Sequence, residues 1–290
     1  MLRDPDVLVR VRRSGLVDRT SGLGPHDHVC WRYTAPDELR ERARDFLADG
    51  LARGLQVWYV APGAAADLAR DLRGVDALDT GLRTGAARVV SLDATYPMGA
   101  VVEPDAQVRA YAEATEAAIA AGFAGLRVAA DCTPLVGTPR QLAAFARYEH
   151  RIDRYMADQP FSALCAYSTA EVDDAAFAQL ACMHPGANSD LPGFRLHGAG
   201  GRSTALGGEL DLGNEELFAL ALERAQLRPH DGLLELDATG LVFLDHRALT
   251  RLSEHAAALG ATAVLRTSWP GAAKLVDLLD LTNIYVECAP

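Results

Sequence analysis

Seven side chains of metal-ligand type, His26, His28, Cys30, Cys132, Cys165, Cys182 and His184, are spread over the first two-thirds of this 290-residue chain. Imidazoles and thiolates hold zinc-class cations, and a strand with a two-residue period puts His28 and Cys30 on one face, which makes that pair the candidate metal site. The remaining spacing argues the other way. No Cys-x-x-Cys pair exists, and Cys182 and His184 sit at a helix end, where residues two apart diverge. The plainer expectation is no metal, with the thiols serving as small buried apolar groups and the histidines satisfied by hydrogen bonds. A second chemical signal lies at Asp245-His246-Arg247, where the apolar strand from Leu233 runs through a tight turn into an amphipathic helix. The first turn of a helix carries unpaired N–H groups and a partial positive potential, which favour an anion or a phosphorylated side chain. Asp245 is a good N-cap there.

Several enzyme classes are excluded by residue type. Lys274 is the only lysine, and its context PGAAKLV fits neither a phosphate-binding Gly-x-x-x-x-Gly-Lys-Ser/Thr loop nor Schiff-base chemistry. There is no Gly-x-Ser-x-Gly elbow, and no spacing sets a base beside the thiols of Cys132 or Cys165. The glycine-rich GAGGRS (198–203) lies between two strands and reads as a hairpin turn. No catalytic residue is assigned, and a non-enzymatic protein is expected.

The elements that must position these groups follow from length and pattern. A chain of this length with 49% hydrophobic residues can bury two cores. A net charge of −11, with no basic run beyond Arg10, Arg12 and Arg13, argues against a nucleic-acid surface. No apolar run approaches about 20 residues and the N-terminus lacks a signal-peptide core, so no membrane association is expected and a cytoplasmic location is. Five widely spaced cysteines imply reduced thiols. Apolar strands are expected at 27–33, 56–62, 87–95, 126–134 and 161–168. The helices between and after them are placed from Pro36, over 64–73, from Asp105 with Tyr111, Thr115 and Ile119 inward, over 139–157 with Leu142, Phe145, Ile152 and Met156 inward, and from Asp173 or Asp174. This alternation predicts an α/β fold, a mainly parallel sheet with helices on both faces. Ligands of such sheets bind beyond the strands' carboxyl ends, here Tyr33-Thr34-Ala35, Pro62-Gly63, Asp93-Ala94-Thr95, Asp131-Cys132-Thr133 and Tyr167-Ser168.

His28-x-Cys30 in the first strand, RVAADCT with Asp131, LCAYS with Cys165 and Tyr167, and the closing His184-Pro185 together resemble the methanogen/methylotroph sensory (MEDS) domain. The resemblance covers roughly residues 20–188. It implies a RecA-like α/β fold without the phosphate loop and the sensing of a small molecule such as a hydrocarbon derivative. Taken together, these motifs and the strand ends mark His28, Cys30, Tyr33, Asp93, Asp131, Cys132, Cys165, Tyr167 and His184 for ligand binding. No other cofactor is implied.

After a turn-rich linker at 186–193, the chain continues strand, strand, helix, strand, helix, strand, helix. Asn214 with Glu215 and Glu216 opens the first of these helices, Leu217, Leu220 and Ala221 share its face, and the last runs from Pro270 with Leu275, Leu278 and Leu279 inward. The segments GELDLGNEELF, LDATGLVFLD and KLVDLLDL resemble the STAS domain of bacterial anti-sigma factor antagonists. In that family the segment matching Asp245-His246-Arg247-Ala248-Leu249 usually reads Asp-Ser-Ser-Gly-Leu, and its serine is phosphorylated by an anti-sigma kinase. The aspartate is kept here and the serine is not, so serine phosphoregulation is not expected. The resemblance marks Asp211, Asp245, His246 and Arg247 as partner-binding or switch positions. The expected organisation is an arm (1–20), a MEDS-like domain (21–188) and a smaller α/β STAS domain (193–290). The expected function is a cytoplasmic signalling protein in which a small ligand modulates STAS binding to an anti-sigma factor or related switch kinase. The alternatives are a metal- or thiol-based redox sensor or enzyme on the first domain, and a non-switching protein-binding scaffold.

Overall fold

The structure, a computed structural model, describes residues 12, 14–97, 99–201 and 203–289. Most of the expected arm, with Arg10 and Arg13, lies outside these residues. The elements of the first part are β1 (Gly15–Leu16), β2 (His28–Tyr33), α1 (Pro36–Ala52), β3 (Gln56–Ala61), α2 (Ala65–Asp71), α3 (Asp76–Thr84), β4 (Ala87–Ser91), α4 (Leu92–Thr95), α5 (Pro104–Ala120), β5 (Leu126–Asp131), α6 (Pro139–Asp158), β6 (Phe161–Ser168), α7 (Asp174–Ala181) and β7 (Gly186–Ala187). The second part holds β8 (Phe194–Gly198), β9 (Thr204–Leu210), α8 (Glu215–Ala225), β10 (Leu233–Asp237), β11 (Leu241–Leu244), α9 (His246–Ala258), β12 (Thr262–Thr267), α10 (Gly271–Leu278) and β13 (Ile284–Cys288).

The first seven strands form one parallel sheet in the order β1-β7-β2-β6-β5-β3-β4. From β2 the chain steps outward to β3 and β4, then reverses through β5 and β6 to β7. Crossovers between parallel strands are right-handed, so the reversal sends α1–α3 to one face and α5–α7 to the other. The two cores follow this division. Phe46, Leu47, Leu68 and Leu78 pack on Val57 and Tyr59, while Phe145, Ile152, Met156 and Phe177 pack on the opposite face with Val128 and Ala163. The smaller second sheet is mixed, in the order β11-β9-β10-β12-β13, with β8 antiparallel to β9. The α/β architecture, with its parallel sheet covered on both faces, is the one the sequence pattern predicts.

Six local expectations need correction. Residues 87–95 are not one strand: Ser91 caps α4 by accepting the Ala94 N–H, and the chain turns there. Ile119 is 46% exposed, because Thr115 and Ala118 carry the buried face of α5. In α8 the buried stripe is Phe218, Ala221, Leu222 and Ala225, one position round from the expected Leu217 and Leu220, and in α10 Leu278 is 79% exposed. Gly186 and Ala187 are strand rather than linker, pairing with both β1 and β2, and the Asn188 side chain continues the pairing by bonding the Arg32 N–H and carbonyl. The turn after β10 leads first into β11 beside β9 and only then into α9.

Arg127 fixes the α1 face. Its guanidinium is fully buried and donates to Asp49 Oδ2 (2.9 Å), the Leu23 and Gly24 carbonyls (2.7 and 2.9 Å), the Phe46 carbonyl (3.3 Å) and Ser162 Oγ (3.0 Å). Gly50 sits in mid-helix because a Cβ there would lie 2.7 Å from Arg127 Cδ. Arg127→Met keeps the volume but takes a donor from the Leu23, Gly24 and Phe46 carbonyls, of which Gly24 keeps the Asp27 N–H; Asp49 retains Arg53 as a partner. The expected loss is about 3 kcal/mol, read from urea unfolding of the full chain.

Candidate functional site

The strand register sets out a chemical surface before any helix covers it. Side chains alternate across a strand. The pairing puts His28, Ala163, Val128 and Trp58 in one row across β2, β6, β5 and β3, with Cys30, Cys165, Ala130 and Val60 in the next row toward the carboxyl ends. These rows face α5 and α6. Helix α6 begins at Thr138, whose hydroxyl accepts the Gln141 N–H, with Pro139 in its first turn. Phe145, Glu149, Ile152, Asp153 and Met156 fall on one stripe of a 3.6-residue helix, and all five are buried. Two carboxylates therefore enter the core together with the apolar residues.

His28 lies between them, with Nδ1 3.1 Å from Asp153 Oδ1 and Nε2 3.2 Å from Glu149 Oε2. Asp153 also accepts the Arg12 guanidinium and the Gly198 N–H (2.7 Å). Glu149 accepts the Tyr167 hydroxyl through Oε1 (2.6 Å). Cys165 Sγ is 3.4 Å from His28 Nε2 and 3.7 Å from Glu149 Oε2. His184, just after α7, brings Nε2 to 3.6 Å from the same Glu149 oxygen, and its ring centroid lies 3.9 Å from that of His28.

Charge decides how this group can be buried. Burial alone would lower the pKa of His28, but its hydrogen bonds with Asp153 and Glu149 outweigh that and raise it. Burial would raise Asp153, yet the Arg12 guanidinium and His28 hold it far below the usual carboxylate range. Burial opposes ionisation of Glu149 too, and His184, His28 and the Tyr167 hydroxyl bring it down. Arg12, Asp153, His28 and Glu149 are thus two positive and two negative groups in contact, the arrangement that makes buried charge tolerable. His184 behaves differently. Burial and the neighbouring His28 push it down to about 4. Its Nδ1 lies 2.9 Å from the Leu180 carbonyl oxygen, which can only accept, so Nδ1 carries the proton and Nε2 is left without a hydrogen-bond partner.

Beyond Cys165 the same face opens into a cavity of about 180 Å³. Alanines 130 and 163 leave the space on the sheet side. Trp58, Tyr111, Phe145, Tyr148, Met156 and Phe161 wall it, and Cys132 and Gln107 bring polar atoms to it. The thiols beside it are protonated: burial raises Cys30 well above its ordinary value, and a hydrogen bond with Cys132 together with burial does the same for Cys165. Protonated thiols are weak nucleophiles.

A family model, the MEthanogen/methylotroph, DcmR Sensory domain (MEDS), matches residues 27–185. The chain belongs to the MEDS family. It is therefore a protein with a sensory domain, as expected of a signalling protein. No curated protein matches it. Among the described residues no helix is long and apolar enough to cross a membrane.

Within the MEDS module the residues marked by sequence divide into two groups. His28, Cys30, Cys132, Cys165, Tyr167 and His184 gather on the α6 side of the sheet. Tyr33 and Asp131 instead meet each other on the α1 side, the hydroxyl donating to Oδ2 at 3.0 Å, and Asp93 accepts the Gly63 N–H at 2.8 Å to hold the turn after β3. Among the described residues the ligand atoms of His28, Glu149, Cys165 and His184 converge, and of the sequence pair His28 and Cys30 only His28 is in that group. Cys182 points away from His184 into the second core, as the helix-end spacing predicts, and His26 bonds the Gln159 carbonyl. Glu149, Asp153 and Arg12 were not singled out by sequence reasoning. The signal for the two carboxylates was their place on the Phe145, Ile152 and Met156 stripe.

In the second part, Asp245 caps α9 by accepting the Ala248 N–H at 2.8 Å, and its own N–H donates to Leu210. His246 and Arg247 are exposed beside it, Arg247 3.3 Å from Glu215. Asp211 closes the turn before α8 by accepting the Gly213 N–H. Exposed Leu212, Val242 and Phe243 come from the neighbouring ends of β9 and β11.

Asp153 carries the most connections of the site. Asp153→Ala leaves His28, Arg12 and the Gly198 N–H without their shared acceptor, and a loss of about 3–5 kcal/mol is expected in urea unfolding. A loss below about 1 kcal/mol would show that the network contributes little.

Proposed function

We propose that this is a non-enzymatic cytoplasmic signalling protein whose MEDS module binds a small, largely apolar molecule in the cavity beside Cys165. Binding there alters how the second module, read as a STAS domain over residues 193–290, engages an anti-sigma factor or related switch kinase. The observation that carries this reading is the cavity itself. At about 180 Å³ it exceeds the roughly 150 Å³ of an apolar cavity that holds benzene, and its walls are mostly aromatic and aliphatic. Its few polar atoms suit a ligand with one polar group.

Helix α6 offers the route from cavity to partner. Phe145, Tyr148 and Met156 wall the cavity, while on the same helix Asp153 holds the Gly198 N–H of β8. Gly198 is packed so closely that a Cβ would lie 2.8 Å from Arg154 Cα. A ligand that shifts α6 therefore moves β8, and it switches the protein to the extent that it binds two such states unequally. The order of strands and helices from β8 onward and the Asp245 cap support the STAS reading. The exposed Leu212, Val242 and Phe243 around His246 supply an apolar docking surface for the partner.

Thermal unfolding of the full chain with benzene, chlorobenzene or 1-butanol tests the cavity. Near 100-fold saturation a bound ligand stabilises by about 2.7 kcal/mol, a rise of several degrees in Tm. Ala163→Phe fills the cavity and should abolish the rise. Equal shifts in both proteins, or none in either, would sink the cavity reading. The partner reading predicts that His246→Glu, which puts a negative charge at the exposed start of α9, weakens binding of the anti-sigma factor to the full chain at least tenfold. Unchanged binding would move the contact elsewhere.

A further inference from the structure

We infer that His28 Nε2, Glu149 Oε2, Cys165 Sγ and His184 Nε2 form a buried four-ligand site for a divalent cation of the zinc class. The four atoms lie within 4.8 Å of one another. The separations of His28 from Glu149, His28 from Cys165, Glu149 from His184 and Glu149 from Cys165 are 3.2, 3.4, 3.6 and 3.7 Å. Zinc bonds of about 2.0–2.3 Å in tetrahedral geometry put neighbouring ligand atoms about 3.3–3.8 Å apart. These four separations fall in or next to that range, and the remaining ones lie within 4.8 Å.

A second observation points to the same occupant. His184 is fully buried and its Nε2 has no hydrogen-bond partner. With the Nδ1 proton committed to Leu180, an imidazole lone pair faces a carboxylate oxygen across 3.6 Å. Lone pair against carboxylate is repulsive unless a positive centre lies between them, and a cation bound to both supplies it.

The outer contacts match what metal ligands require. His28 gives its other nitrogen to Asp153, His184 gives its to a backbone carbonyl, and the second oxygen of Glu149 is held by Tyr167. Such partners orient ligating side chains and fix the tautomer. Charge also closes. Cys165 binds as thiolate and His28 as neutral imidazole, each releasing its proton to solvent. The two charges of the cation are then met by one carboxylate and one thiolate, and Asp153 remains paired with Arg12. A thiolate with two imidazoles selects the zinc class over magnesium or calcium. Four protein ligands leave no open position for hydrolysis, which makes the site structural or signal-tuning. Because Cys165 also lines the cavity, the cation lies one side chain away from any molecule held there.

The site does not depend on the STAS reading. Cobalt(II) titration of the full chain, purified without a histidine tag and stripped with chelator, tests it. One cobalt per chain is expected, with the strong visible bands of tetrahedral coordination and a near-ultraviolet thiolate charge-transfer band, both removed by one equivalent of zinc. Cys165→Ser should lose the charge-transfer band and His184→Ala should bind at least tenfold more weakly, while His26→Ala binds as the wild type. Natively folded wild type that takes up no stoichiometric cobalt overturns the proposal, as does a folded Cys165→Ser that keeps the charge-transfer band or a folded His184→Ala that binds as tightly as the wild type. If His184→Ala does not fold, the wild-type charge-transfer band and its dependence on Cys165 decide the matter.

Discussion

A single buried carboxylate, Asp153, sets the terms for this structure. A carboxylate taken out of water must find charge and hydrogen-bond donors at once, or it costs several kcal/mol. Asp153 finds them in three separate parts of the chain: Arg12 before the first strand, His28 at the start of β2, and the Gly198 N–H at the end of β8. None of the three is a sequence neighbour. The segment before the sheet, the sheet and the second module therefore have to arrive together, and the geometry of each is tied to the others through two oxygen atoms. The absence of a side chain at Gly198 is part of the same constraint, since the β8 backbone must come close enough to α6 to donate.

Helix α6 carries two different faces of the problem on one stripe. Its earlier turns bring Phe145 and Tyr148 to an apolar cavity, and the turns around Glu149 and Asp153 bring charge to His28 and His184. Cys165 stands at the boundary, lining the cavity while touching both His28 and Glu149. Close-packed interiors transmit small displacements rather than absorbing them. A molecule entering the cavity presses on the side chains that also hold the charged cluster, and the cluster in turn holds β8. This is a physical basis for a sensory domain to act on a neighbour without a hinge.

Much of the frame was legible in the sequence because it depends on near-continuous apolar strands and amphipathic helices, which are local patterns. The strand alternation of His28 with Cys30 and of Cys165 with Tyr167 was readable in the same way. What was not legible is pairing across the sheet. That Cys165 sits opposite Cys30, and that Glu149 on α6 and His184 in the turn after α7 close on His28, depends on crossover directions and register. Glu149 and Asp153 were passed over because charge at an inward position reads as an error in the hydrophobic stripe. Here both carboxylates are buried, and both pair with His28. Boundary errors had local causes of the same kind: the Ser91 cap ended β4 early, and the two-residue pairing of Gly186 and Ala187 is too short to carry a strand pattern.

The second module poses the complementary question of how a signal would leave. The exposed start of α9 holds His246 where the resembling domains carry a phosphorylatable serine, so the familiar means of loosening a complex, a dianionic group at a helix N-terminus, has no hydroxyl to use. One of the connections between the first module and this position runs through β8. β8 is held to α6 through Asp153 at one end and to β9 by antiparallel pairing along its length. β9 ends at Leu210, whose carbonyl accepts the Asp245 N–H at the cap of α9. A side-chain carboxylate of α6 and a run of backbone hydrogen bonds, which are directional and costly to break when buried, thus join α6 to the start of α9 beside His246. On the proposed reading, a molecule bound in the cavity would act on that surface along this chain of contacts, in place of covalent modification of one side chain.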